Sequence, residues 1–319
     1  MNVELLIQHG SALYQPVVEE GIQWTTDRCG VPGSLKFTIV QDGRIEFEEG
    51  DAVRLQVNGE KVFFGFIFTK QRSKNGLINV TAYDQLRYLK NKDTYVYENK
   101  TASQFIQMSA EDFRLNIGSL EATSYVIPSR VEDNVTLFDM IQNALDLELQ
   151  HKSELFVLYD DFGSLTLKNI ASMKLDLLLS EGTGEDFDYT SSIDHATYNK
   201  IKLAYDNSEA GSRDIYIAQD GSNINQWGVL QYYEKLQKGE NGAAKAEALL
   251  KLYNAKTRNL KLNNCLGSVS CRAGSMPVVQ LDLGDVSIFS YMLVEKAVHT
   301  FKNNQHLMSL VLRGGEFVV

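Results

Sequence analysis

The residues best equipped for chemistry are few and scattered along this chain. Five histidines (His9, His151, His195, His299, His306) and three cysteines (Cys29, Cys265, Cys271) are the soft metal ligands. A structural zinc site gathers four such groups. Cys265 and Cys271 have no neighbouring His or Cys to complete a tetrahedron, so buried or half-buried thiols are expected. His299 and His306 flank Asn303-Asn304 and can approach one another across a hairpin. Two imidazoles without a third ligand make a poor metal site, and surface strand positions are expected for both.

Nucleophilic and hydrolytic signatures are missing. There is no Gly-x-Ser-x-Gly elbow and no His-Glu-x-x-His helix, the arrangements that place a serine or a zinc-bound water for attack. Asp194-His195 has the composition of an acid–base pair, yet adjacent residues of an extended segment point to opposite faces. The run Asp160-Asp161-Phe162-Gly163-Ser164 places carboxylates beside a glycine, which hairpin turns favour on conformational grounds alone. A glycosidase pair among 41 acidic residues stays open, because carboxylate separation is invisible in sequence. Phosphate-binding glycine loops are absent too. No catalytic, cofactor-binding or metal-ligating residue is assigned, and no cofactor is expected.

The elements that would position any site read as mainly β with α+β character. Ser34–Val40 is a strand, and Val53, Leu55 and Val57 alternate with Arg54 and Gln56, the period of a half-buried strand. Asn58-Gly59 supplies a tight turn, after which Val62, Phe64, Phe66 and Phe68 share one face of the returning strand. Asn75-Gly76 turns the chain into Leu77–Tyr83. Such a meander points to a small antiparallel barrel or sandwich.

From Asp84 the pattern becomes helical. Thr101 and Gln104 have capping-box spacing ahead of Phe105 and Ile106, and Thr136 can cap a helix carrying Leu137, Ile141, Ala144 and Leu145. A hairpin over 155–170 turns at Asp161–Gly163, and the acid-rich 180–188 reads as a linker. Two strands then precede a stretch, 227–260, that reads as helical, with Ala246, Leu249, Leu250 and Tyr253 on one face. After it, Val279, Leu281 and Leu283 alternate, Tyr291–Phe301 is one long strand, and Asn303-Asn304 turns it back.

Gly50-Asp51 and Gly284-Asp285 each precede a strand pair, so the chain reads as two copies of one small β-domain around an α/β segment. A length of 319 residues suits two or three domains. The expected division is a first tube-like β-barrel over 1–90, an intermediate α/β domain over 91–180, and a second barrel over 181–319 with a helical insertion at about 227–260.

Composition narrows the function. With 31 basic against 41 acidic residues the net charge is −10, which argues against binding by phosphate neutralisation. The stretches 41–51 and 181–195 concentrate the acid and read first as solvated loops. The N-terminus lacks the basic and apolar regions of a secretory signal, no apolar run is long enough to span a bilayer, and the odd cysteine count suits reduced thiols. Synthesis in a cytoplasm is expected.

The stretch "VTAYDQLRYLKNKDTYVY", with "TLFDMIQNALD", "LFVLYDDFGSLTLKNI" and "HTFKNNQHLMSLVLRGGEFV" in order, resembles the XkdQ/YqbQ family of prophage tail proteins. These are relatives of the late-control D proteins and of the central hub of T-even baseplates, and the resemblance covers nearly the whole chain. It implies a baseplate hub: a homotrimer whose three chains present six similar β-domains, joining a six-fold tail tube to a three-fold spike. The implied partners are the tail tube protein, the spike and other baseplate proteins, with DNA only as passing cargo. On that reading carboxylates at 41–51 and 181–195 would line a channel and repel DNA, which carries a charge per roughly 1.7 Å of axis. The implied location is host cytoplasm during assembly, then a phage tail or phage-tail-like particle such as a tailocin. A tail-associated cell-wall hydrolase stays as the alternative. A carbohydrate-binding module would need exposed tryptophan, whereas Trp24 and Trp227 are expected in the core.

Overall fold

The computed structural model describes the chain except residues 42, 44, 195, 208–210, 237–240, 283–286 and 315–319. The first ninety residues supply β1 (Val3–His9), β2 (Ala12–Tyr14), β3 (Ile22–Asp27), β4 (Ser34–Val40), β5 (Ala52–Val57), β6 (Glu60–Arg72) and β7 (Leu77–Tyr83), then a 3-10 turn over Gln85–Lys90. The middle supplies β8 (Lys92–Lys100), α1 (Ala102–Asp112), β9 (Ile117–Leu120), β10 (Ile127–Thr136), α2 (Leu137–Lys152), β11 (Phe156–Asp160), β12 (Leu165–Asn169) and β13 (Lys174–Ser180). Then follow β14 (Asp186–Ser192), β15 (Lys200–Asn207), β16 (Ser212–Gln219), α3 (Gly221–Trp227), β17 (Gln231–Lys235), α4 (Gly242–Tyr253), β18 (Thr257–Leu266), β19 (Met276–Asp282), β20 (Ser287–Tyr291), β21 (Leu293–Lys302) and β22 (Gln305–Gly314). The fold is mainly β, as expected.

Local chemistry explains many of these boundaries. Asn58 and Gly59 both take positive φ (52° and 85°), as do Asn303 (52°) and Asn304 (58°), which matches hairpin turns to the twist of their strands. The Thr101 hydroxyl accepts from Gln104 N while the Gln104 side chain accepts from Thr101 N, so the capping box forms. Thr136 caps α2. On α4, Ala246 and Leu249 are buried against Ile201 and Leu203, with Leu250 and Tyr253 packed beside them.

The principal sheet has eleven strands in the order β14-β18-β22-β21-β3-β4-β7-β6-β5-β1-β2. Strands from both ends of the chain therefore lie in one sheet, joined where β21 pairs antiparallel with β3, His299 opposite Trp24 and Phe301 opposite Ile22. Among the described residues no sheet closes on itself into a barrel. Phe301 is buried in the core built by β1 to β7. The second apolar core lies between α1, α2 and β8 to β12, a third beneath β18 to β22, and two smaller ones beneath β11 and beneath α4.

Four local readings are corrected. A register shift between Leu55 and Gln56 puts Val62 in the core with Phe63 and Ile67, while Phe64, Phe66 and Phe68 share the other face as expected. There Phe64 meets Phe162 (5.9 Å), and Phe66 and Phe68 meet Tyr88 (6.4 and 6.2 Å), tying the first sheet to the middle of the chain. Within 227–260, 231–235 is the strand β17, paired parallel with β15, and the preceding helix lies earlier, over 221–227, capped by Asp220. Alternating Tyr232 inward and Tyr233 outward satisfies a sheet better than a helix. The acid-rich linker contains β14, whose Phe187 and Tyr189 pair with Leu262 and Leu260. The long strand at 291–301 breaks at Met292, where β20 leaves for β19 and β21 joins β22. Gly284-Asp285, the second member of the repeat, lies outside the described residues.

Gly65 sits where a Cβ would lie 2.3 Å from the Tyr83 carbonyl oxygen. Since the obstacle is backbone, Gly65→Ala is expected to destabilise the fold by about 3 kcal/mol, read as a lowered denaturant midpoint with an unchanged slope. An Ala variant within 0.5 kcal/mol of wild type, the ordinary surface range, would contradict this packing.

Candidate functional site

The titratable side chains that come together do so where the three stretches of chain meet. At the end of β7, Asp84 caps the 3-10 turn by accepting from Leu86 N (3.1 Å) and also accepts from Gly33 N (2.9 Å). Gly33 is required there, because a Cβ would stand 2.4 Å from the Asp84 carboxylate. At the end of β11, Asp160 accepts from Gly163 N (2.6 Å), which fixes the hairpin turn with Phe162 (φ 50°) and Gly163 (φ 90°) in left-handed conformation. Arg272, from the segment before β19, donates to the Asp160 carbonyl (3.0 Å) and stacks its guanidinium 3.9 Å over Tyr159. Ala273 N donates to Thr26 Oγ1 (2.9 Å), so this one turn touches both other regions.

Electrostatics follows from burial. Asp84 and Asp160 are 4% and 6% exposed. Burial raises Asp160 to about 6, and burial followed by repulsion from Asp160 raises Asp84 well above the carboxylate range, with Arg272 opposing both. Burial likewise lowers Arg272. Two carboxyls share one cation, so one of them keeps its proton more readily than in water. The arrangement fastens three segments, and its inaccessibility to solvent gives a substrate no approach.

A second cluster lies at the joint of β3 and β21. His299 is fully buried and stacks on Trp24 at 4.6 Å between ring centroids. Its Nε2 faces the Cys271 carbonyl at 2.8 Å and must donate; its Nδ1 therefore accepts from His306 Nε2, also 2.8 Å away. Both rings are neutral in this arrangement. Burial drives His299 down to about 3, helped by His306, and drives His306 down to about 4. The sequence brought these two together across the hairpin as expected, but surface placement of His299 is corrected: β3 covers it.

The other sequence candidates disperse. Cys265 and Cys271 are buried, as expected, and Cys29 is exposed. Trp24 is in the core, whereas Trp227 is half-buried on α3, a helix with no buried residue. His195, and with it the Asp194-His195 pair, lies outside the described residues. Among the described residues no group of three His, Cys, Asp or Glu side chains could hold a metal, and no helix is long and apolar enough to cross a membrane. Missed in the sequence were the roles of Asp84, between Tyr83 and Gln85, and of Arg272, a lone charge between Cys271 and Ala273.

The fold as a whole is shared with solved phage-tail proteins. A 43 kDa tail protein of prophage MuSo2 from Shewanella oneidensis has it, with a TM-score of 0.73 at 13% identity over 99% of this chain and all of that one. So does the E. coli c3393 protein, a type VI secretion component described as similar to T4 tail proteins gp27 and gp5, with a TM-score of 0.61 at 12% identity over 98% of this chain and 78% of that one. In sequence the chain is 30% identical to Bacillus subtilis YqbQ over 92% of its length and 91% of the relative's. It is 29% identical to the phage-like element PBSX protein XkdQ of the same organism, with 92% of each chain covered. The YQBQ-like family model matches residues 22–313, and the chain belongs to that family of prophage tail proteins.

Removing Arg272 leaves two buried carboxyls without their cation. Arg272→Ala is expected to cost about 3 kcal/mol, partly restored by adding Asp160→Asn; a neutral Arg272→Ala would contradict the junction. The histidine pair makes a pH prediction. An unfolded His titrates near 6.5 and folded His299 near 3, so the stability of the neutral pair is whole above pH 6.5 and lost as pH falls toward 3. Asp160 works oppositely, its contribution whole below pH 3.8 and lost as pH rises through about 6. Urea melts from pH 7 to 4 should therefore fall less steeply in His299→Asn than in wild type, and equal slopes would refute the assignment.

Proposed function

We propose that the chain is a structural hub of a phage tail or phage-tail-like baseplate, linking a six-fold tail tube to a three-fold spike. The observation that carries the reading is the shared sheet: β3 and β21 place the strands of the first and last regions side by side in one chain. Three such chains in a ring offer six β-regions to a tube above while keeping three-fold symmetry for a spike below, a match that a chain with one β-region cannot make without breaking its interface. On this reading the chain divides into a first tube-like domain (1–90), an α/β domain (91–180) and a second tube-like domain (181–319).

The proposed partners are other copies of the chain, the tube protein, the spike and further baseplate proteins, with DNA as passing cargo. The relationship to XkdQ of a phage-like element and the fold shared with a prophage tail protein support it. The role is assembly without catalysis, since the strongest carboxylate pair is sealed in the junction. Assembly would take place in the host cytoplasm and end in the particle.

The test is mass in solution across a concentration series, followed by imaging of any rings. A trimeric ring whose face shows six similar lobes is expected. A species that stays monomeric at every concentration and clears a peptidoglycan gel would replace this reading with the hydrolase.

A further inference from the structure

Two β-surfaces on the chain are uncovered and opposite in charge. The first belongs to the three-stranded sheet β16-β15-β17. One side of that sheet carries Ile201, Leu203 and Tyr205 against α4. The register builds the other side in rows: Gln219, Lys200 and Gln231; then Ile217, Lys202 and Tyr233; then Ile215, Ala204 and Lys235; then Arg213 beside Asp206. Ile215, Ile217 and Tyr233 are 50%, 54% and 48% exposed. Asp206 is ion-paired with Arg213 and Lys235. Lys200 and Lys202 have no ion pair among the described residues. In a chain of net charge −10 this face carries exposed Ile215, Ile217 and Tyr233 on its outer strands, with Lys200 and Lys202 on the central strand β15.

The second surface is the ribbon formed by β8 and β10. Its inner side holds Tyr97 and Ile127 against the helices. Its outer side pairs Val96 with Val131, 66% and 64% exposed, between a row of Glu98 with Ser129 and a row of Thr94 with Asp133, whose side chains hydrogen-bond at 2.8 Å. Lys92 and Lys100 stand only at the two ends of the ribbon. The outer side is thus two exposed valines flanked by carboxylates.

We infer that the β15–β16–β17 face of one copy docks on the β8–β10 ribbon of the next, its isoleucines and Tyr233 covering Val96 and Val131 while Lys200 and Lys202 meet Glu98 and Asp133. Exposed apolar side chains interleaved with charges that the facing surface complements favour a protein interface. Four separated cations, two of them already paired, are too few for a nucleic-acid track. The contact is head-to-tail, so its repetition produces a ring or a filament rather than a two-fold dimer. Each face is smaller than the 20 to 30 residues a side of a stable interface, so the contact closes a ring that other contacts also hold. The inference rests on the hub reading for that closure.

Disulfide trapping tests it, since two cysteines bond only when their Cβ atoms come within about 4.5 Å. In a Cys29→Ser background, mixing full-length Ile217→Cys with Val131→Cys under mild oxidant should give a cross-linked dimer that neither gives alone. The double variant should give a ladder that stops at three chains. Lys200→Glu with Lys202→Glu should abolish the cross-link, and Glu98→Lys with Asp133→Lys on the other chain should restore it, which also shows that the charge-reversed chains fold. A mixture that cross-links no more than either variant alone, while wild-type rings are visible on grids, overturns the contact and leaves the hub standing. A ladder running past three chains supports the contact and overturns the three-chain ring.

Discussion

Residues 296–301 of β21 pair with 22–27 of β3, strands more than 260 positions apart in sequence, and that seam makes the two ends of the chain one sheet. Its chemistry is redundant. Trp24 stacks on His299, Phe301 is buried among the residues of the first core, and Lys296 meets Asp27 at 3.3 Å. Glu295 accepts from Arg28 (2.7 Å) on one side and meets Arg313 of β22 (3.0 Å) on the other. Because loop-closure cost rises only slowly with length, a pairing of this span can persist if apolar burial supports it. Fully burying an aromatic such as Phe301 contributes about 2 kcal/mol.

The buried polar groups serve the same constraint from below. Arg272, Ala273 and Cys271 lie on a single turn, yet they reach Asp160, Thr26 and His299 respectively. A turn that satisfies partners in all three regions fixes their mutual orientation in a way that apolar packing, being non-directional, does not. The perturbed pKa values follow from this bracing: carboxyls and imidazoles are held out of water because the junction is dry. Such perturbation often marks catalysis; these groups also brace a joint.

Much of this architecture was legible in the residues. Asn-Gly and Asn-Asn turns, the Thr101–Gln104 box and the helical face of α4 are local signals, and local physics decided them. What failed depended on distant partners. The register shift of β6 against β5 separates Val62, which enters the core, from Phe64, Phe66 and Phe68, which share the other face. The strand over 231–235 exists because β15 lies beside it, and β14 exists because Leu260 and Leu262 of β18 await Phe187 and Tyr189. The histidine pair was legible as a pair, because a hairpin sets its spacing. Its burial was not, because the covering strand comes from the other end of the chain. Asp84 and Arg272 carried no motif at all.

The central claim is that both ends fold as one cooperative sheet through the β3–β21 seam. Native-state hydrogen exchange measures it most directly. The amides of β3 and β21 should exchange with the same high opening free energy as those of β4 and β22 on either side, as expected of a single cooperative unit. Seam amides that exchange well before both flanks, with the two halves opening independently, would contradict it.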